Sequence, residues 1–311
     1  MAEALRDTSV PQAPLRWVDL ATLMLLGALW GGSFLFMRIA SPEFGSLALG
    51  AVRAGLASLI LLPLLFIQSG GVRALMAASR RIALLSLINT SIPFVLFAFA
   101  ALYLSTGASA ILNAMAPFFA AIVAWLWMGE RMSRTAILGL VLGFAGVVVL
   151  MGGPGALRGD PWMATLAAAG VLLATFGYGV AVNFMRHRLK NVSPTAVSTG
   201  CHVFGAMVLI PLGAGAWPAS SPSAMAWASV IALAAFSTAL AFTLYVRLIA
   251  RIGPTRAVTS TFLSPAFGML WGALFLDEPV TLEMVVGASV IILGVALTTG
   301  LLGRRKSRAG M

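Results

Sequence analysis

Long stretches of this chain carry no charged side chain, and that rules out most folds. Runs free of Asp, Glu, Lys and Arg cover 20–37, 54–72, 82–129, 135–157, 161–185, 191–246, 257–276 and 284–303. A membrane-crossing helix needs about 20 apolar residues. The runs 82–129 and 191–246 hold 48 and 56 residues, so each must contain two crossings. The first divides near the polar stretch 103–107, and the second at 213–222, which is rich in Gly, Pro and Ser. Ten helices follow, with expected limits 18–40, 46–68, 82–102, 107–128, 135–152, 161–184, 195–215, 224–247, 256–276 and 282–302. Transmembrane strands would alternate over segments of about ten residues; these runs are too long and too uniformly apolar.

Composition agrees. With 60% hydrophobic and 9% charged residues, and a mean hydropathy of +1.00, the chain lacks the polar surface a soluble protein needs. The lipid bilayer is its expected solvent and partner. A net charge of +11 would suit nucleic acid in a soluble protein. Here the bases sit in short loops between apolar runs, so no nucleic-acid partner is expected. They report orientation instead. With both termini in the cytoplasm, 17 of the 20 basic residues fall on that side, and of the opposite loops only one carries a base, Arg158. The single Cys201 excludes an internal disulfide and a cysteine-based metal cluster, and reads as a small packed hydrophobe. No small-residue cleavage site follows the first apolar run, which reads as a retained span.

The chain also overlays itself. A shift of 148 positions, without gaps, places Phe36, Met37 and Arg38 on Phe184, Met185 and Arg186. It places Pro63 on Pro211, Thr90 on Thr238, Phe94 on Phe242 and Pro117 on Pro265. Glu130 falls on Glu278, Gly139 on Gly287 and Gly146 on Gly294. Five helices per copy is an odd number, so the second copy enters the membrane inverted. Inverted repeats give a protein two shapes of similar energy, one open to each side.

Particular segments then identify a resemblance. They are Leu29-Trp-Gly-Gly-Ser-Phe-Leu-Phe-Met-Arg38 and Val52-Arg-Ala-Gly55 in the first two spans, and Ala108-Ser-Ala-Ile-Leu-Asn-Ala-Met-Ala-Pro117 with Gly129-Glu130 in the fourth. Ser264-Pro265 with Asp277-Glu278-Pro279 marks the same place in the ninth. From about 18 to 302 the chain resembles the EamA-type transporters of the drug/metabolite transporter superfamily. One departure is Phe176-Gly-Tyr-Gly179, where the sixth span lacks the tryptophan pattern. The resemblance implies an all-α integral membrane protein of ten helices in two inverted five-helix repeats, both termini cytoplasmic. The expected layout is a cytoplasmic tail 1–17, a first repeat 18–152, a second repeat 161–302 and a basic cytoplasmic tail 303–311. It also implies export or exchange of small metabolites through a cavity lined mainly by spans 1, 3, 4, 6, 8 and 9.

Candidate site residues are those that do not belong in plain hydrocarbon. Pro117 and Pro265 lie near mid-membrane, and each frees the carbonyl four residues back, on Asn113 and Thr261. Such groups need a water-lined cavity or a partner on a neighbouring helix. Arg53 is the one guanidinium well inside a span: it could hold a substrate carboxylate, or snorkel to the nearby outer surface. Asn89 and Asn113 offer amides to substrate or to other helices. Trp30 and Tyr178 are repeat partners near mid-span and fit a cavity wall. Tyr245 lies closer to the interface, where an aromatic belt accounts for it. His202 could carry a proton or serve as a packed polar partner. Arg38, Glu130 and Glu278 stand at span ends, where they read as gating residues or solvated termini. The glycines at 139, 143, 146, 287 and 294 read as close-packing positions.

These features favour a secondary transporter of small metabolites, amino acids or related compounds, working by alternating access. Efflux of lipophilic drugs is the neighbouring alternative. No Gly-x4-Gly-Lys-Ser/Thr pattern occurs, so ATP is not consumed by that route. An intramembrane enzyme would want clustered His, Asp or metal ligands. With two histidines, one in a loop, no catalytic residue, metal or cofactor is expected. The expected location is a bacterial cytoplasmic (inner) membrane, multi-pass, and a homodimer is an assembly this reading allows.

Overall fold

The computed structural model describes residues 16–129 and 132–299. Glu130, the basic tail 303–311 and nearly all of the N-terminal tail lie outside the described residues. Within them the chain is helical, and the one β-type pairing is an isolated bridge between Leu104 and Leu157. The main helices are α1 (Trp17–Ile67), α2 (Ser79–Tyr103), α3 (Thr106–Trp127), α4 (Arg134–Gly152), α5 (Pro161–Arg188), α6 (Pro194–Gly215), α7 (Ala224–Ile252), α8 (Ser260–Leu276) and α9 (Leu282–Thr298). The first seven are long and apolar enough to cross a membrane, while α8 and α9 are shorter.

The first two expected spans are joined without a loop. At 51 residues, α1 would measure about 75 Å, more than twice a bilayer core. It breaks at Gly45, whose φ of 69° and ψ of 169° are non-helical. Pro42 has already removed one backbone donor, and a residue without Cβ accepts this geometry freely. The chain therefore turns at one residue.

Elsewhere local chemistry marks the helix starts. Ser105, Ser133, Asp160, Ser193, Ser223 and Thr281 each accept a hydrogen bond at an N-cap. Pro161 and Pro194 occupy the first helical turn, where a missing N–H costs nothing. Helices end on left-handed residues at Gly129 (φ 68°) and Asp277 (φ 51°), which the 148-residue shift places on each other.

Large apolar side chains cover the outside: Leu59, Phe66, Trp125, Leu126, Val148, Trp162, Met207, Leu274 and Phe275 are all exposed. Water would not tolerate so broad an apolar coat, whereas lipid does. The protein is a multi-pass membrane protein.

Contacts inside the bundle recur under the same shift. Gly31 on α1 lies against Phe267 and Gly268 of α8, and its partner Gly179 on α5 lies against Phe119 and Ala120 of α3. Trp30 meets Tyr245 edge-on at 5.2 Å, and their equivalents Tyr178 and Phe97 stack at 6.1 Å. In the α4–α9 contact a Cβ on Gly139 would approach the Gly294 carbonyl oxygen to 2.5 Å. The equivalent pair, Gly287 and the Gly146 carbonyl, stands at 2.9 Å. Small residues let these backbones touch, as the glycine pattern implied. Each helix of the second and seventh positions also contains wide π-type turns, at Leu87–Ser91 and Leu233–Leu240. These hold Thr90 and Thr238, again repeat partners.

Candidate substrate cavity

These helices enclose a cavity of about 720 Å³. It extends from Met37 and Arg53 to Arg186, Thr298 and Thr299. Its wall is built from repeat partners. Trp30 and Tyr178, Phe34 and Val182, Asn89 and Ser237, and Thr90 and Thr238 all line it. So do Phe94 and Phe242, Phe97 and Tyr245, Asn113 and Thr261, and Ala116 and Ser264. Every pair is separated by 148 residues. The doubled chain thus supplies these eight wall positions twice.

Of the residues singled out from sequence, Trp30, Arg53, Asn89, Asn113, Pro117, Tyr178, His202 and Thr261 are brought together on this wall. Pro265 is not among the lining residues; it is buried within α8, and Ser264 and Thr261 face the space instead. The two prolines act differently. Near Pro117 the helix of the fourth span is interrupted by a turn at Ala114 and Met115. Around Pro265 the helix is continuous. The ninth span is instead interrupted about one turn earlier, at 258–259, between Pro254–Ala257 and Ser260–Leu276.

Arg53 is held by α2 and α7. Its Nε donates to Thr238 Oγ1 at 3.2 Å, one Nη faces Met37 Sδ at 3.6 Å, and the guanidinium carbon sits 3.7 Å over the Phe94 ring. Thr238 in turn donates to the Leu233 carbonyl five residues back, a bond that the π-type turn makes possible. His202 is buried, with Nδ1 2.8 Å from the Ser198 carbonyl. A carbonyl only accepts, so Nδ1 carries the proton there. Among the described residues, neither Asn89 nor Asn113 has a side-chain hydrogen bond, and both amides line open space.

Tyr245 departs from the interfacial reading. It pairs with Trp30 and lines the cavity, because α7 extends to Ile252 and moves the tyrosine inward. Phe94, Phe97, Thr90, Thr238 and Phe242 were not singled out as site residues. The signal was present: four of the five already belonged to the coincident pairs of the repeat.

At one end of the bundle, four segments converge on Glu278. Arg38 Nε lies 3.5 Å and Arg158 Nη1 3.7 Å from Glu278 Oε1, and the Thr106 backbone N–H donates to Oε2 at 2.7 Å. The carboxylate is buried, so these contacts replace its water. Glu43 nearby in sequence to Arg38 accepts hydrogen bonds from the Ser223 backbone N–H and hydroxyl. A second buried acid, Asp19, pairs with Arg251 Nη2 at 2.7 Å near the start of α1 and the end of α7. The sequence reading had given neither Arg158 nor Asp19 a partner.

Known proteins carry the same plan. The model of the EamA-like transporter family matches residues 19–152 and again 165–300. An uncharacterized transporter of Archaeoglobus fulgidus is 22% identical over 281 residues, covering 90% of this chain and 97% of that protein. The uncharacterized inner membrane transporter YedA of Escherichia coli (strain K12) is 25% identical over 284 residues, 89% of each chain. A probable terminal-alkyne amino-acid exporter of Streptantibioticus cattleyicolor is 26% identical, covering 91% of this chain and 94% of that one. One solved crystal structure superposes with a TM-score of 0.63 at 17% identity, over 93% of this chain and 99% of its own; it shares the fold.

Proposed function

Because this chain belongs to the EamA-like transporter family, a family of membrane transporters, we propose that it exports or exchanges a small metabolite by alternating access. In this reading ten helices, with α1 contributing two, form two inverted five-helix halves. The membrane is the bacterial cytoplasmic membrane, with both chain termini inside. The reciprocal contacts support the inverted arrangement. In a two-fold relation, if residue i touches j, their equivalents touch likewise. The Gly31, Trp30 and Gly139 contacts all follow that rule.

The single observation that carries the reading is an asymmetry. Eight pairs of repeat partners share the wall, but Arg186 lines the cavity and its equivalent Arg38, which lies beside the buried Glu278, does not. The two equivalent helix ends thus differ in whether they border the cavity. Arg186 belongs to the side rich in basic loops, so this conformer faces the cytoplasm, and the Glu278 cluster closes the outer side. In the opposite conformer Arg38 would line the mouth. The closing cluster takes Arg38 and Glu278 as the outer gating pair.

Amino acids or related compounds are the proposed cargo. The cavity volume suits molecules of that size, and one relative is named a probable amino-acid exporter. Counterflow in proteoliposomes, with a panel of amino acids, organic acids and cationic dyes, tests the proposal. Exchange of at least one metabolite, reduced in Asn113→Ala, is expected. Retention of every preloaded compound by well-folded protein would overturn it, and exchange of dyes alone would move the reading to drug efflux.

A further inference from the structure

The charge inside the cavity is one-sided. Its lining includes Arg53 well inside the bundle but no Asp or Glu among the described residues. Arg53 also has no carboxylate within ion-pair distance among the described residues; its neighbours are a hydroxyl, a thioether and a ring face. A guanidinium offers five N–H donors and stays charged. A thioether accepts weakly, and Phe94 covers one face only. The edge of the fork is therefore left to whatever fills the space. The repeat sharpens the point, because the position equivalent to Arg53 is Cys201, which is buried. Eight wall positions are duplicated and the Arg53 charge is not.

We infer that the ligand of this cavity is a small organic acid whose carboxylate docks on Arg53 and which carries no ammonium group. Among amino acids and related compounds this selects the related carboxylic acids that lack the amine. The inference rests on the proposed cavity being the substrate site. A carboxylate matches the planar fork with two parallel hydrogen bonds. An ammonium would find amides, hydroxyls and ring faces but no counter-charge, and would share the space with a fixed cation. The body of the ligand is apolar and flat, because Trp30, Phe34, Phe97, Tyr178, Phe242 and Tyr245 supply most of the large side chains of the wall. Asn89 and Asn113 can take up a further polar atom such as an oxo or hydroxyl oxygen.

Three probes share one phenyl body and differ in head group: hydrocinnamate, phenylalanine and phenethylamine, of net charge negative, zero and positive. Binding to the detergent-purified full chain is read by quenching of tryptophan fluorescence and by thermal shift. Hydrocinnamate should bind roughly tenfold to a hundredfold more tightly than phenylalanine, the cost of burying the extra ammonium without a partner, with phenethylamine weakest. Arg53→Gln should erase the ranking, and Arg53→Lys should keep its order at reduced affinity. If Arg53→Gln does not fold, the ranking on the native chain decides alone. Equal or tighter binding of phenylalanine or phenethylamine, no binding of hydrocinnamate at millimolar concentration, or an unchanged ranking in folded Arg53→Gln overturns the inference. Counterflow separates it from the transport reading. Hydrocinnamate that binds through Arg53 but never exchanges defeats transport and leaves the ligand class standing. Exchange of phenylalanine in preference to the acid does the reverse.

Discussion

Replacing Glu278 with Gln should open the end of the bundle that Glu278 now ties together. The substitution keeps the shape of the side chain, and its carbonyl oxygen can still accept from the Thr106 N–H. What it removes is the charge that faces Arg38 at 3.5 Å and Arg158 at 3.7 Å. At an effective dielectric of about 20, a pair at 3.5 Å attracts by roughly 4–5 kcal/mol. That figure must be reduced. The two arginines repel each other, and the Arg158 side chain is 41% exposed and therefore screened. Neither ion pair is short enough for a strong hydrogen bond. A net loss of about 2 kcal/mol remains, between that of an exposed ion pair and that of a fully buried one. If the cluster stabilises only the conformer seen here, the equilibrium shifts by roughly thirtyfold, since 1.4 kcal/mol is a factor of ten. Ser41 is a suitable reporter: it is fully buried, three residues from Arg38 and just before the break of α1 at Gly45. On a Cys201→Ala background, Ser41→Cys should react slowly with a membrane-impermeant maleimide in intact cells. Adding Glu278→Gln should raise that rate by about the factor above. An unchanged rate in protein of normal expression and thermal stability would refute the reasoning, because the ion pairs would then hold nothing shut.

Three further outcomes are expected. Asp19→Asn breaks the 2.7 Å pair with Arg251 at the other end, so it should lower thermal stability by about 1–2 kcal/mol without speeding labelling of Ser41→Cys; faster labelling would show that the two ends are not independent. Gly139→Ala and Gly287→Ala place a Cβ at 2.5 Å from the Gly294 oxygen and 2.9 Å from the Gly146 oxygen, and each should destabilise by about 1–3 kcal/mol in thermal unfolding. Native stability in both would mean that α4 and α9 do not approach this closely. Gly31→Leu and Gly179→Leu should each abolish counterflow, by wedging α1 from α8 and α5 from α3; retained exchange in either would remove that contact from the working bundle.

Most of the helical layout was legible in the chain. Span limits follow from where charges stop and where Ser, Thr, Asp, Pro and Gly stand, because hydrocarbon penalises a charge anywhere along a span and caps act locally. For the same reason the expected starts at 135, 161, 195, 224 and 282 agree with the observed starts at 134, 161, 194, 224 and 282 to within a residue. The join between the first two spans was not legible, since a turn made at Gly45 alone looks like any glycine in an apolar run. Most candidate wall residues could be named because polar and aromatic groups at mid-depth are rare enough to stand out. Phe94 and Phe242 could not be told by type from the phenylalanines that face lipid.

By itself, then, the order of residues determined that the chain is helical, membrane-embedded and twice repeated, because these depend on composition and spacing along one dimension. Only the tertiary structure decided which repeat partners face the same space, that Arg38 and Arg158 share Glu278, and that Arg53 meets Thr238 and Phe94 but, among the described residues, no acid. The Arg53–Thr238 and Arg38–Glu278 pairs lie 185 and 240 residues apart in the chain, and no local propensity couples such positions. Packing between helices brings them together, and the same packing leaves Arg53 facing the cavity.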